Sequence, residues 1–222
     1  MEHNIKKTLL ADSIRLSFGT FNVLNGAWLR SETGKVTGVL GRNGSGKSCM
    51  FRAIMGELRT QELFVRYDDK VVTGSDEMGK YVKYLAQKPF LPPKLTLKKV
   101  FEYFGADYEA FTDDFPKFAQ YPDTPVRELS GGEVRIAEIW LCLCSDAPFC
   151  ILDEPFSYLS PVAIEVIQKL IGRQKEKMGI VVSDHNSDAL LEIADEVLLL
   201  SDGYVHLIKH RCDLVRYGYC RA

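Results

Sequence analysis

Val36-Thr37-Gly38-Val39-Leu40-Gly41-Arg42-Asn43-Gly44-Ser45-Gly46-Lys47-Ser48 decides the fold. A short apolar run flows into a glycine-rich loop, and an apolar-periodic segment follows, predicting a strand at Val36 to Leu40 and a helix from Gly46 to about Leu58. Gly41 to Ser48 fits the pattern G-x-x-x-x-G-K-[ST]. Glycines at 41, 44 and 46 let the backbone curl until successive N–H groups point at one anion, and the helix N-terminus adds its dipole. Lys47 is then placed to reach β- and γ-phosphates, and the Ser48 hydroxyl to ligate Mg²⁺. A strand before and a helix after are the context a chance glycine turn lacks.

The same alternation continues outward. Glu62 to Tyr67 and Lys70 to Thr73 read as strands about the Asp68-Asp69 turn, and Tyr81 to Ala86 as another. From Leu95 to about Leu143 the pattern is helical, punctuated by Pro116, Pro122 and Pro125. Strands return at Phe149 to Leu152 and Ile180 to Ser183, with a helix between them. Val197 to Leu200 and Tyr204 to Ile208 flank Ser-Asp-Gly, a hairpin signal. Short apolar strands separated by helices imply a parallel sheet covered on both faces. The expected fold class is α/β: one domain over residues 1–222, with a helical subdomain inserted at about 88–145.

Composition narrows the function. With 28 basic against 30 acidic residues the formal net charge is −2, which argues against a nucleic-acid binder, since such proteins need a basic excess to hold phosphate backbones. No apolar run approaches the ~20 residues of a membrane-spanning helix, and Met1 to Lys7 makes a poor signal peptide. A cytoplasmic location is expected. Six cysteines in 222 residues do not form a disulfide framework. Cys142 and Cys144 face different ways on a helix, and with Cys150 they read as small buried hydrophobes.

A second chemical site lies at Phe149-Cys150-Ile151-Leu152-Asp153-Glu154. An apolar strand ends in two acids, and in open α/β sheets ligands sit at the carboxyl ends of strands. Asp153 is placed to hold Mg²⁺ and Glu154 to polarise an attacking water. Between the two sites comes Leu129-Ser130-Gly131-Gly132-Glu133. Ser130 with Glu133 three residues on is a capping box, and a helix start with free glycine N–H groups is also an anion site.

With that motif the chain resembles the ATP-binding cassette (ABC) ATPases, the nucleotide-binding subunits of ABC transporters. The likeness runs from about Ile14 to Ile208. It implies a P-loop NTPase fold with a largely parallel sheet, N-terminal antiparallel strands and the inserted helical subdomain. It implies ATP and Mg²⁺ as cofactors, with Gly41, Arg42, Asn43, Gly44, Ser45, Gly46, Lys47, Ser48 and Cys49 around the phosphates. Ser130, Gly131, Gly132 and Glu133 would complete the pocket of a second subunit. Gln87 resembles the glutamine that senses Mg²⁺ and the attacking water, and His185 the histidine that contacts the γ-phosphate. Ser48, Gln87 and Asp153 form the metal set; Glu154, His185, Gln87 and Lys47 form the catalytic set. Phe18, 23 positions before Gly41, suits the aromatic that stacks on adenine, with Phe21 as its rival.

The stretch from Leu129 to Ile139, with Ser183-Asp184-His185-Asn186 further on, is similar to the lipopolysaccharide-export and branched-chain amino acid importer branches. Ser160 stands where the family usually has aspartate. The resemblance implies a second ABC ATPase subunit and an integral membrane permease as partners, a peripheral position on the cytoplasmic face of the membrane, and no nucleic acid. A soluble ABC ATPase acting in assembly, such as iron–sulfur cluster assembly, is the alternative. In the family the permease docks beside the glutamine loop, where Phe90 and Leu91 are the candidate contacts; Leu97, Val100, Phe101 and Phe104 share a helical face behind them.

Overall fold

The computed structural model describes residues 6–185 and 187–219. The N-terminal residues 1–5 and Asn186 lie outside the described residues, so the readings made of them stand as sequence expectations. Two sheets form the frame. The first is antiparallel, in the order β2 (Phe21–Glu32), β1 (Thr8–Phe18), β4 (Glu62–Tyr67), β5 (Lys70–Val71). The second has six strands, in the order β10 (Tyr204–Ile208), β9 (Glu196–Ser201), β3 (Val36–Leu40), β8 (Gly179–Ser183), β7 (Phe149–Asp153), β6 (Val82–Leu85). All its neighbours are parallel except the β9–β10 hairpin.

β3, β7 and β8 are buried at every residue, which is why each reads as an unbroken apolar run rather than an alternating one. Period-two geometry then sends alternate side chains into two cores. Val39, Ile151, Val181 and Leu198 face a layer holding α1 (Lys47–Ile54), with Met50 and Phe51, and the antiparallel sheet beyond it. Leu40, Leu152, Val182 and Leu199 face α5 (Gly131–Leu143) and α6 (Pro161–Gln174). Continuous with that second core is an aromatic cluster of Phe101, Phe111, Phe118 and Trp140, which holds the helical insertion together.

Several boundaries move from the sequence expectation. The helix after the phosphate loop stops at Ile54 rather than Leu58, because Gly56 at φ +75° ends it in the left-handed region. The helical stretch from Leu95 to Leu143 is broken into α3 (Leu97–Phe104), α4 (Tyr108–Asp114), two short 3₁₀ turns (Pro116–Gln120, Val126–Glu128) and α5. Three further helices, α2 (Ser75–Tyr81), α7 (Ser187–Ile193) and α8 (Arg211–Arg216), are short enough to leave little periodicity to read. Leu91, one of the two candidate docking contacts, is buried rather than exposed. Leu91 is 5% exposed, and its backbone N–H donates to the Glu138 carboxylate. Leu97, Val100 and Phe101 pack inward, while Phe104 and Phe90 remain half exposed and meet edge-to-face at 5.7 Å. Cys142 and Cys150 are buried thiols, and every described cysteine is unpaired.

Candidate functional site

The phosphate loop is shaped by its glycines and closed by its own lysine. Gly44 and Gly46 sit at φ +80° and +104°, a region side chains rarely adopt. Gly41 is needed for space instead: a Cβ there would lie 2.8 Å from the Leu200 carbonyl oxygen and 2.5 Å from Ser45 Oγ. Lys47 Nζ donates to the Gly41 carbonyl at 2.8 Å. Burial lowers the pKa of its ammonium, and the charges of Glu154, Asp153 and Asp184 oppose that shift. The cation is therefore held against the loop it closes, and an anion settling in the loop would meet it.

Gln87, Glu154 and His185, just beyond the ends of β6, β7 and β8, border the same space, while Asp153 lies buried behind it and does not line it. Gln87, just past β6, donates from Nε2 to Ser48 Oγ at 3.0 Å. Asp153, the last residue of β7, is fully buried; it accepts from Ser183 Oγ at 2.8 Å and from the Tyr84 hydroxyl at 3.4 Å. Burial first, and then the Asp153 charge, push the Tyr84 phenol well above its ordinary value, so it stays a donor. Glu154 adopts φ +52°, a strained setting for a non-glycine residue, held by its N–H bond to the Ser183 carbonyl at 2.8 Å. That kink turns the chain sharply at the strand end. His185, beyond β8, brings Nδ1 to 3.8 Å from Glu154 Oε2 and 3.7 Å from Asp184 Oδ1.

Lys47, Ser48, Gln87, Glu154 and His185 thus line one cavity of about 660 Å³ together with Phe21, within the ~300–1,000 Å³ range of small-molecule sites. Phe18 is not among its lining residues. It pairs with Phe21 across the β1–β2 turn, but Phe21 is the ring that borders the loop. Ser130 to Glu133 are also absent from that cavity. They start α5 with a complete capping box: Glu133 N–H bonds Ser130 Oγ at 3.3 Å, and Ser130 N–H bonds Glu133 Oε2 at 2.8 Å. Lys117 braces Glu133 at 2.6 Å. Within one chain the capping role is fulfilled, and Gly131 instead lines a separate cavity beside Gln87 and Glu154.

Two residues essential to the geometry carry no motif. Arg135, 8% exposed on α5, donates to the Ala86 carbonyl at 2.6 Å, to the Asp153 carbonyl, and to the Glu154 carbonyl at 3.1 Å. Glu138, one turn on and fully buried, accepts the Phe90 N–H at 2.6 Å and the Leu91 N–H at 3.3 Å through Oε1. Burial raises the Glu138 carboxyl pKa against the pull of those amides and of Arg135. One pair of charges therefore ties the start of the glutamine loop to the strained turn at Glu154. The available sequence signal is a glutamate interrupting the apolar face of α5. Ser160 accepts the Ala163 N–H and caps α6, while Tyr158 before it stands 97% exposed at φ +65°.

A phosphate loop at the end of a parallel strand, with acids on the neighbouring strand ends, defines the class: a nucleotide-binding α/β ATPase. Residues 24–157 match the family described as ABC transporter, and the chain belongs to that family as an ATP-binding protein that hydrolyses ATP. It is 29% identical over 212 residues to an uncharacterized ABC transporter ATP-binding protein of Rhizobium meliloti, covering 89% of this chain and 78% of that protein. It is 25% identical over 215 residues to the lipopolysaccharide export system ATP-binding protein LptB of Haemophilus influenzae, covering 89% and 88%. Among solved structures, an ATP-binding subunit of an ABC transporter superposes with a TM-score of 0.80 at 21% identity, over 96% of this chain and 95% of that one. A nucleotide-free ATP-binding cassette does so at 0.76 and 20%, over 97% and 96%. These two likenesses establish the fold.

Proposed function

We propose that this chain dimerises around two nucleotides and energises a separately encoded membrane permease. The observation that carries the proposal is the convergence of Lys47, Ser48, Gln87, Glu154 and His185, from four strand ends, on one cavity. Lys47 and the loop amides hold the phosphates. Glu154 accepts a proton from water at the terminal phosphate, and His185 and Gln87 orient that end of the nucleotide. Phe21 replaces Phe18 as the proposed adenine platform, on the strength of its place in the cavity wall.

Ser48, Gln87 and Asp153 offer a hydroxyl, an amide and a carboxylate, the hard oxygen donors that suit Mg²⁺, which keeps waters and phosphate oxygens as its other ligands. Held by those residues, the ion would supply positive charge against the phosphates. Catalysis by this chain is then positioning plus electrostatic stabilisation.

The Ser130–Glu133 helix start does not line the Lys47 cavity of its own chain, and its proposed role is to cap the nucleotide of a second subunit. Phe90, Phe104 and Tyr103 form an exposed aromatic group beside the glutamine loop, 38%, 44% and 73% exposed, and this is the proposed permease contact. No helix among the described residues is long and apolar enough to cross a membrane. Attachment to the cytoplasmic face of the membrane is accordingly proposed to run through that contact.

Lys47→Ala should abolish Mg²⁺-dependent ATP binding measured by calorimetry. Phe90→Asp should leave that binding intact and release the protein from the native membrane fraction on sedimentation. A wild-type protein found wholly with soluble partners would instead favour an assembly ATPase. Unchanged nucleotide binding by Lys47→Ala would overturn the site.

A further inference from the structure

The C-terminal segment after β10 is built into the site rather than trailing from it. α8 is anchored by Leu214, 3% exposed, and ends in a two-bond glycine cap: Gly218 N–H bonds the Val215 carbonyl at 2.9 Å, and Tyr219 N–H bonds the Leu214 carbonyl at 2.8 Å, with Gly218 at φ +68°. Tyr217 stacks on His206 of β10, ring centroids 4.2 Å apart. Arg42, inside the phosphate loop, donates from Nη2 to the Gly218 carbonyl. The segment is thus pinned from both sides, and its point of attachment is the loop that holds phosphate.

Between the segment and the loop lies a second cavity of about 580 Å³, walled by Phe21, Arg42, the β9–β10 turn and Tyr217 to Tyr219. It is continuous in its lining with the cavity over Lys47, since both include Phe21, Val23, Asn43, Gly44 and Ser45. Strand order gives the pair a direction. Gln87, Glu154 and His185 follow β6, β7 and β8, all on one side of β3, whereas the second cavity sits at the end of β9 and the β9–β10 turn on the other. A nucleotide whose terminal phosphate faces Glu154 must extend its nucleoside away from those strands, toward the C-terminal segment.

We infer that residues 217–219 complete the nucleoside end of the site, Tyr217 and Tyr219 walling the base opposite Phe21. The inference rests on the proposed reading of the Lys47 cavity as the triphosphate site. Aromatic walls favour a planar base over its absence, so these tyrosines separate ATP from a bare polyphosphate. Arg42 makes the connection mechanical, because a loop displaced by phosphate carries Gly218 with it.

The test is calorimetric titration, with Mg²⁺, of ATP and of inorganic tripolyphosphate. In Tyr217→Ala/Tyr219→Ala the Kd for ATP should rise about tenfold, roughly the value of one base–ring stack, while the Kd for tripolyphosphate stays within about twofold. Tyr217→Phe/Tyr219→Phe should restore ATP binding. Equal weakening of both ligands would show that the segment only braces the loop and would overturn the inference, as would unchanged ATP binding. Wild type that binds neither ligand would remove the triphosphate reading itself, a separate failure. Photolabelling of unaltered protein with 8-azido-ATP avoids any folding defect: label is expected on the peptide holding residues 217–219, and label confined to other peptides sinks the proposal.

Discussion

Two of the four strand ends that make this site are constructed in opposite ways. After β3 everything is local: three glycines set the curl, Lys47 bonds the carbonyl of Gly41 six residues back, and the helix starts at once. After β7 almost nothing is local. Asp153 is held by Ser183 on β8 and by Tyr84 on β6, and Arg135 on α5 grips the carbonyls of both acids. The first end can be specified by eight consecutive residues. The second exists only when four elements have assembled, so its chemistry is a product of tertiary structure.

The largest expected effect probes what the assembled end does. Glu154→Gln keeps the backbone turn and removes the proton acceptor, so ATP binding should persist while turnover falls by ~10²–10⁴. Steady-state hydrolysis near the wild-type rate would show that the β7 end only shapes the pocket. Next comes its support. Glu138→Ala strands the Phe90 and Leu91 amides and removes the carboxylate 3.8 Å from buried Arg135, a loss of about 3 kcal/mol measurable by urea denaturation. The same substitution should impair hydrolysis more than nucleotide binding, because the local β3 end does not depend on it.

A smaller effect is expected at Ser160. Ser160→Ala removes the α6 cap, for about 1 kcal/mol, whereas Ser160→Asp keeps an acceptor there and should leave the melting temperature nearly unchanged. If Ser160→Asp also raises the Hill coefficient for ATP hydrolysis, the serine loosens communication between two sites; an unaltered coefficient reduces its role to capping.

The smallest effect is a pH dependence outside both strand ends. Burial alone would raise the Asp114 carboxyl, but hydrogen bonds from Arg173 and Trp140 outweigh it and hold the pKa below the usual aspartate value. A lowered folded-state pKa contributes stability that is complete above the unfolded value and disappears as pH falls through the folded one. Denaturation midpoints from pH 5 to 2 should therefore fall less steeply in Asp114→Asn than in wild type.

The same contrast explains what could be read in advance. The glycine loop and the capping box were legible because each is a run of adjacent residues whose geometry is local; the acid pair was legible as a pattern, an apolar strand ending in two acids, although what holds those acids is tertiary. Arg135 was not, since its acceptors are backbone carbonyls 49, 18 and 19 positions away and carbonyls leave no mark in a sequence. Glu138 was visible only as a charge in an apolar stretch. Leu91 was a candidate contact for the same reason: its sequence carries no sign that a buried carboxylate claims its amide. Phe18 and Phe21 are three positions apart across a tight turn, and only the three-dimensional placement of the hairpin distinguishes them.

The Glu138 contact gives the glutamine loop an unusual standing on the timescale of amide exchange. The Phe90 and Leu91 protons lie outside regular secondary structure, yet both end on a carboxylate with no solvent exposure. They can trade with deuterium only when α5 lifts away from the loop. In exchange kinetics these two loop positions should therefore age with the core helix, so that a segment free in outline keeps the clock of the interior.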